Sequence, residues 1–167
     1  GSGKKATALT NGDNIFKYNP ETESTIRICS KDYFKSLYKV LVNGERVEPS
    51  YGEFYVTCDP ANKVEIFATF PDVTVPVTFS FANEGTEGAI REVTVNGEAV
   101  ADYSNFTVKM GDQLGIDLNT TDYNITSLTK NGQEQEDFQY GWSSVVTDEE
   151  LNFVVTAKPW GNVAFTI

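Results

Sequence analysis

The chain has 167 residues, 40% hydrophobic and 13% aromatic, which is enough apolar side chain for packed cores and argues against disorder. Thirteen Lys and Arg stand against twenty-four Asp and Glu, and the net charge of −11 disfavours nucleic acid and anionic membrane surfaces as partners. Histidine is absent, which removes the commonest general base, the Ser-His and Cys-His nucleophile pairs and most zinc sites.

The opening Gly1-Ser2-Gly3 reads as a tag remnant, so the lack of a signal peptide carries no information on localisation. No apolar run approaches the roughly 18 residues of a membrane-spanning helix, so membrane insertion is not expected. Short β-branched and aromatic runs with period 2 then predict strands along nearly the whole chain. They fall near 14–18, 24–29, 37–42, 45–48, 53–58, 63–69, 75–81, 89–95, 98–101, 105–110, 113–119, 123–129, 143–147, 151–157 and 162–166. The one helical candidate is SKDYFKSL at 30–37, with Ser30 or Asp32 as its cap. No stretch has a helical pattern long enough for a βαβ unit.

One phrase occurs twice. VLVNGERV at 40–47 and VTVNGEAV at 93–100 agree at six of eight positions. Asn-Gly between alternating apolar residues predicts a two-residue type I′ hairpin, because both central residues must take φ > 0. A third copy, SLTKNGQEQ at 127–135, keeps Leu128 in the place of Val93 but has Lys130 in the place of Val95, so it rests mainly on its turn. Each of these three Asn-Gly pairs is followed by a tyrosine (Tyr51, Tyr103, Tyr140) and then by Phe54, Phe106 or Trp142 at the head of a strand. Residues 66–81 and 153–167 resemble each other, and 14–29 follows the same plan of apolar strand, proline-containing break and apolar strand. The implied unit is about 50 residues, near 24–72, 75–121 and 122–160, with a strand of a preceding unit at the front and the first strand of a following unit at the C-terminal end.

The expected fold is all-β: tandem small β-sandwich modules of immunoglobulin-like kind. Two modules are predicted, residues 1–72 and 73–167, meeting at PDVTVP (71–76), where two prolines favour an extended link. A motif of the form xVxVNGexV followed by an aromatic-led strand resembles the immunoglobulin-like or internalin-B-repeat-like modules of bacterial cell-surface proteins, those of Bacteroidetes above all. The resemblance covers roughly 37–70 and 89–119. It implies secretion or surface attachment, tandem arrangement and a non-catalytic role, and it transfers no functional residue.

Three constellations bear on a site. Cys29 and Cys58 align with apolar positions of the other copy, so both are expected to face one core, either as free thiols or as a disulfide across neighbouring strands. In FQYGW (138–142), Phe138, Tyr140 and Trp142 alternate and would share one face of a strand, as a platform for sugar rings or as core. The recurrence of tyrosine at 51, 103 and 140 favours core. Asp112, Asp117 and Asp122 lie near strand ends without the spacing of a calcium loop, which leaves turn chemistry as their use.

The function expected from sequence is a non-catalytic spacer, adhesion or protein-interaction module of a larger extracellular or surface-anchored protein, with no cofactor and no metal site. Its partners would be neighbouring modules, a host protein or a polysaccharide. The alternative is a carbohydrate-binding accessory module that uses the aromatic strand face.

Overall fold

A computed structural model describes residues 6–32 and 35–167. The protein is all-β: the described residues form fourteen strands and one short 3₁₀ turn, Glu87–Ala89. The helix expected at 30–37 is absent at 30–32 and 35–37, and its residues 33 and 34 lie outside the described residues. The strands expected at 14–18 and 162–166 are also absent; both segments are irregular. Each has the alternation of a strand but no neighbour to pair with, and a strand without a ladder leaves its backbone groups to water.

The chain divides into two compact units, Gly1–Phe70 and Pro71–Ile167. The expected link at 71–76 is shorter than its prolines suggest, because a strand already begins at Thr74 and takes in Pro76.

In unit 1, β1 (Thr25–Ile28) pairs with β4 (Phe54–Thr57), and β2 (Lys39–Val42) lies between β3 (Glu45–Arg46) and β5 (Val64–Phe67), all antiparallel. Its core is small. Val40, Phe54 and Val56 are buried, and Ile28, Leu37, Val42, Val47 and Ile66 pack around them half-covered. Burial alternates along β4 in the order Phe54 in, Tyr55 out, Val56 in, Thr57 out, as the period of a strand with one wet face requires.

In unit 2, one sheet has the order β13-β10-β7-β8 and the other β12-β11-β14-β6-β9. The members are β6 (Thr74–Phe81), β7 (Ile90–Val95), β8 (Glu98–Ala99), β9 (Phe106–Lys109) and β10 (Gln113–Leu118) in the first half. The second half supplies β11 (Tyr123–Lys130), β12 (Gln133–Glu134), β13 (Trp142–Val145) and β14 (Leu151–Pro159). Every pairing is antiparallel except one: β14 and β6 run parallel from Leu151↔Val77 to Val155↔Phe81. Pro76 has no N–H to donate, and it sits just before β14 joins the ladder, where β6 faces β9 alone. Leu114, Ile116 and Leu118 from one sheet and Val77, Phe153 and Val155 from the other are buried, each 2% exposed or less. Trp142 of the first sheet meets Phe153 of the second edge-on, with ring centroids 5.1 Å apart.

The three Asn-Gly pairs of the repeated phrase are two-residue hairpin turns, whereas Asn11-Gly12 lies in an irregular segment. Asn43, Asn96 and Asn131 take φ of 52°, 52° and 50°, and Gly44, Gly97 and Gly132 take 81°, 82° and 80°. The residue at the same offset before each turn is fully covered: Val40, Val93 and Leu128 are each 0% exposed. A Cβ on Gly97 would meet no atom within 4 Å, so only the backbone conformation selects glycine there. Gly97→Val is therefore expected to destabilise unit 2 by about 1 kcal/mol or more in chemical denaturation.

Candidate functional site

FQYGW does not form one strand face. Phe138 is buried at 6% exposure, Tyr140 is 102% exposed, and only Trp142 belongs to a strand. Asp137 at φ 55° and Gly141 at φ 104° turn the chain, and the Gly141 N–H donates to Phe138 O at 3.0 Å. Tyr140 is at the apex of that turn, so its ring leaves the sheet. Trp142 lies half-covered on Phe153, and its indole N–H donates to Gln135 Oε1 at 2.9 Å. The premise of three rings on one face is thus corrected: the structure does not bring Phe138, Tyr140 and Trp142 together as a platform.

The expectation that the recurrent tyrosines are core is overturned as well. Tyr51, at φ 51° in the tight turn between Ser50 and Glu53, is 101% exposed. Tyr103 is half-buried, and its hydroxyl donates to Ile90 O at 3.3 Å. The position recurs because it lies in the connection ahead of the aromatic-led strand. The ring's fate then depends on how tightly that connection turns.

The cysteines are free, Cys29 exposed and Cys58 half-buried, so the shared core expected for them is not formed. The register gives the reason. β1 and β4 pair Thr25 with Thr57 and Ile28 with Phe54, which sets Cys29 opposite Glu53 and Cys58 opposite Ser24. The Cys58 N–H indeed donates to Ser24 O at 2.9 Å. The two thiols thus mark opposite ends of one strand pair, about 16 Å apart at roughly 3.3 Å per residue. A disulfide needs Cα atoms within about 7 Å.

The three carboxylates serve turns and an ion pair. Asp112 Oδ2 accepts the Lys109 N–H at 2.8 Å and its Oδ1 accepts from Asn96 Nδ2 at 3.1 Å. Asp117 lies 3.9 Å from Arg91 Nη1, and Asp122 Oδ2 accepts from Asn119 Nδ2 at 3.0 Å. Among the described residues no group of His, Cys, Asp or Glu has the arrangement of a metal site.

Two features escaped the sequence. The first is a clasp made by each hairpin asparagine. Asn43 donates its N–H to Lys63 O at 2.8 Å and accepts the Lys63 N–H on Oδ1 at 2.9 Å. Asn96 does the same with Gln113, at 2.8 and 2.9 Å, and Asn131 with Asn152, at 2.8 and 2.8 Å. The side chain thus extends each hairpin onto a third strand. Aspartate would accept the same bonds, but the asparagine Nδ2 also donates, to Asn62 Oδ1, Asp112 Oδ1 and Glu150 O respectively. The only sequence signal was that all three turns read Asn-Gly and never Asp-Gly.

The second is an aromatic chain in unit 2 that runs from Trp142 through Phe153 to Phe79, and from Phe79 to Tyr103 and Phe106. Phe79 stacks on Phe153 with centroids 5.3 Å apart and meets Tyr103 edge-on at 5.9 Å. Its outer end opens into a shallow cleft of about 320 Å³ lined by Phe79, Phe81, Tyr103, Glu87, Asp102 and Ser104, with Ala101. The Ser104 hydroxyl and N–H both donate to Asp102, at 2.5 and 3.1 Å, and hold its carboxyl below the usual carboxylate range.

Comparison with protein-family models, with curated proteins and with solved structures found no match.

Proposed function

We propose that the chain is a non-catalytic spacer and protein-contact segment of a bacterial surface protein, built from tandem immunoglobulin-like sandwiches with an internal repeat of about 50 residues. The repeat reading is supported by pairing. In each copy the strand before Asn-Gly pairs both with the strand after it and with the strand that the asparagine clasps: β2 with β3 and β5, β7 with β8 and β10, β11 with β12 and β14. The aromatic-led strand of each copy pairs with a strand outside that three-strand set: β4 with β1, β9 with β6, and β13 with β10.

The observation that carries the spacer role is the parallel pairing of β6 and β14, the first and last strands of unit 2. Tension through the chain pulls β6 towards its N-terminal end and β14 towards its C-terminal end. In a parallel pair these pulls run along the ladder in opposite directions, so the inter-strand bonds are loaded together instead of opening one after another. A sheet held this way resists extension, as a segment that positions an adhesive or enzymatic partner away from a cell must.

Single-molecule pulling on the full chain, with handles at its two ends, tests the reading. Unit 2 is expected to yield at higher force than unit 1, whose first and last strands, β1 and β5, belong to different sheets. Val154→Pro, within the parallel ladder, is expected to lower that force. Equal, low forces for both units would count against a spacer.

Carbohydrate binding is a second reading, favoured by the cleft at Phe79 and Tyr103 and no longer by residues 138–142. Calorimetry against a polysaccharide panel, with Tyr103→Ala as control, decides it.

A further inference from the structure

Unit 1 has the pairing of half of unit 2. Its two sheets, β1-β4 and β3-β2-β5, correspond strand for strand to β10-β13 and β12-β11-β14. In unit 2, β7 covers the outer edge of β10, and β6 covers that of β14. Among the described residues no strand covers the outer edge of β1 or of β5. Burial follows this difference. Asn43 clasps Lys63 as Asn131 clasps Asn152, so Val64 stands where Phe153 stands. Phe153 is 1% exposed and Val64 is 37% exposed.

The chain also carries an irregular segment with the apolar alternation of a strand and no sheet to join. Counted from Pro71 and Pro159, Val163, Phe165 and Thr166 stand where Val75, Val77 and Thr78 stand in β6. Val75 and Val77 are buried to 0% and 1%, whereas Val163 and Phe165 are 76% and 87% exposed. The segment 15–18 completes the set. It precedes β1 as β9, the partner of the first half of β6, precedes β10, and its Ile15 is 87% exposed.

We propose that unit 1 is an acceptor for an added β-strand, and that the strand is segment 161–167 of a second copy of this chain, laid parallel to β5 with its first residues against 15–18. The inference rests on the reading of the two units as built from equivalent repeats. The occupant is argued from unit 2, where a segment of the same apolar alternation already fills the equivalent place. Backbone pairing along an open edge supplies affinity, and the alternate side chains Val163, Phe165 and Ile167 supply register and specificity. The donor and acceptor surfaces differ, so the contact is head-to-tail and open-ended: each copy gives one strand and takes one.

Sedimentation velocity on the full chain over a concentration series is the test. The expected result is a ladder of dimers and longer species that grows with concentration. Hydrogen exchange on the same samples should show slowed amides at 165–167 and at 62–64, the residues that the pairing of β6 with β14 sets opposite one another. In Val163→Asp/Phe165→Asp all species above monomer mass should disappear, while the thermal transition of unit 2, whose described strands end at Pro159, stays in place. Added peptide GNVAFTI should shorten the wild-type ladder. A wild-type chain that stays monomeric at millimolar concentration would overturn the proposal, and so would association that survives both substitutions. Either failure leaves the pulling result for unit 2 untouched, so it is distinguishable from failure of the spacer reading.

Discussion

Phe153→Ala is expected to lower the stability of unit 2 by about 3–5 kcal/mol, the usual cost of emptying a fully buried phenylalanine site. The ring is 1% exposed and stands between two others, stacked on Phe79 at 5.3 Å and met edge-on by Trp142 at 5.1 Å. Because Trp142 belongs to the opposite sheet, the cavity would open between the sheets, where neither can close on the other without moving its ladder. Urea denaturation followed by tryptophan emission measures the loss. A cost below about 1.5 kcal/mol would mean that the sheets do not meet through this ring.

Phe54→Ala should cost unit 1 a similar about 3–5 kcal/mol, with a larger consequence. Among the described residues the core of unit 1 has three buried apolar side chains, Val40, Phe54 and Val56. At roughly 1.5–3 kcal/mol for each, removing the largest takes about a third or more of what the core contributes. Domains hold only about 5–15 kcal/mol in reserve, and so small a core puts unit 1 at or below the lower bound, so this loss should leave it mostly unfolded at room temperature. In a two-dimensional amide spectrum its resonances should collapse to the centre while those of unit 2 keep their dispersion. Retained dispersion for β2 and β4 would show that unit 1 draws its stability from elsewhere.

The local part of the fold was legible in the sequence. Period-2 runs placed β2, β4 and β10 because each has one dry face, and Asn-Gly fixed three hairpins because few other pairs accept φ > 0 twice. The third hairpin was legible from its turn alone. Lys130 replaces a valine there, yet it lies 2.8 Å from Asp148 with both side chains half-covered, so a charge is accommodated. What depended on a partner strand was not legible. Residues 14–18 and 162–166 alternate as well as β4 does, but alternation states which face is apolar, not whether a neighbour exists. The parallel contact of β6 with β14 joins residues over 70 positions apart and leaves no local trace.

The site readings failed for related reasons. Alternation of Phe138, Tyr140 and Trp142 implied a shared face only if the backbone were extended, and Asp137 and Gly141 turn it. Two cysteines on neighbouring strands implied contact only if their register matched, and it is off by five positions. The clasp was hidden because a turn preference already accounted for each asparagine, and its second use appears only once a third strand is in place.

The central claim is that one strand plan, closed by one asparagine clasp, recurs three times along the chain. Residue-resolved amide hydrogen exchange on the whole protein tests it most directly, because each clasp covers one defined N–H: Lys63, Gln113 and Asn152. The account predicts that all three are protected, and that each loses its protection when its own asparagine, Asn43, Asn96 or Asn131, is replaced by alanine. Free exchange at any of the three in the intact chain, or protection that survives the alanine, would contradict it.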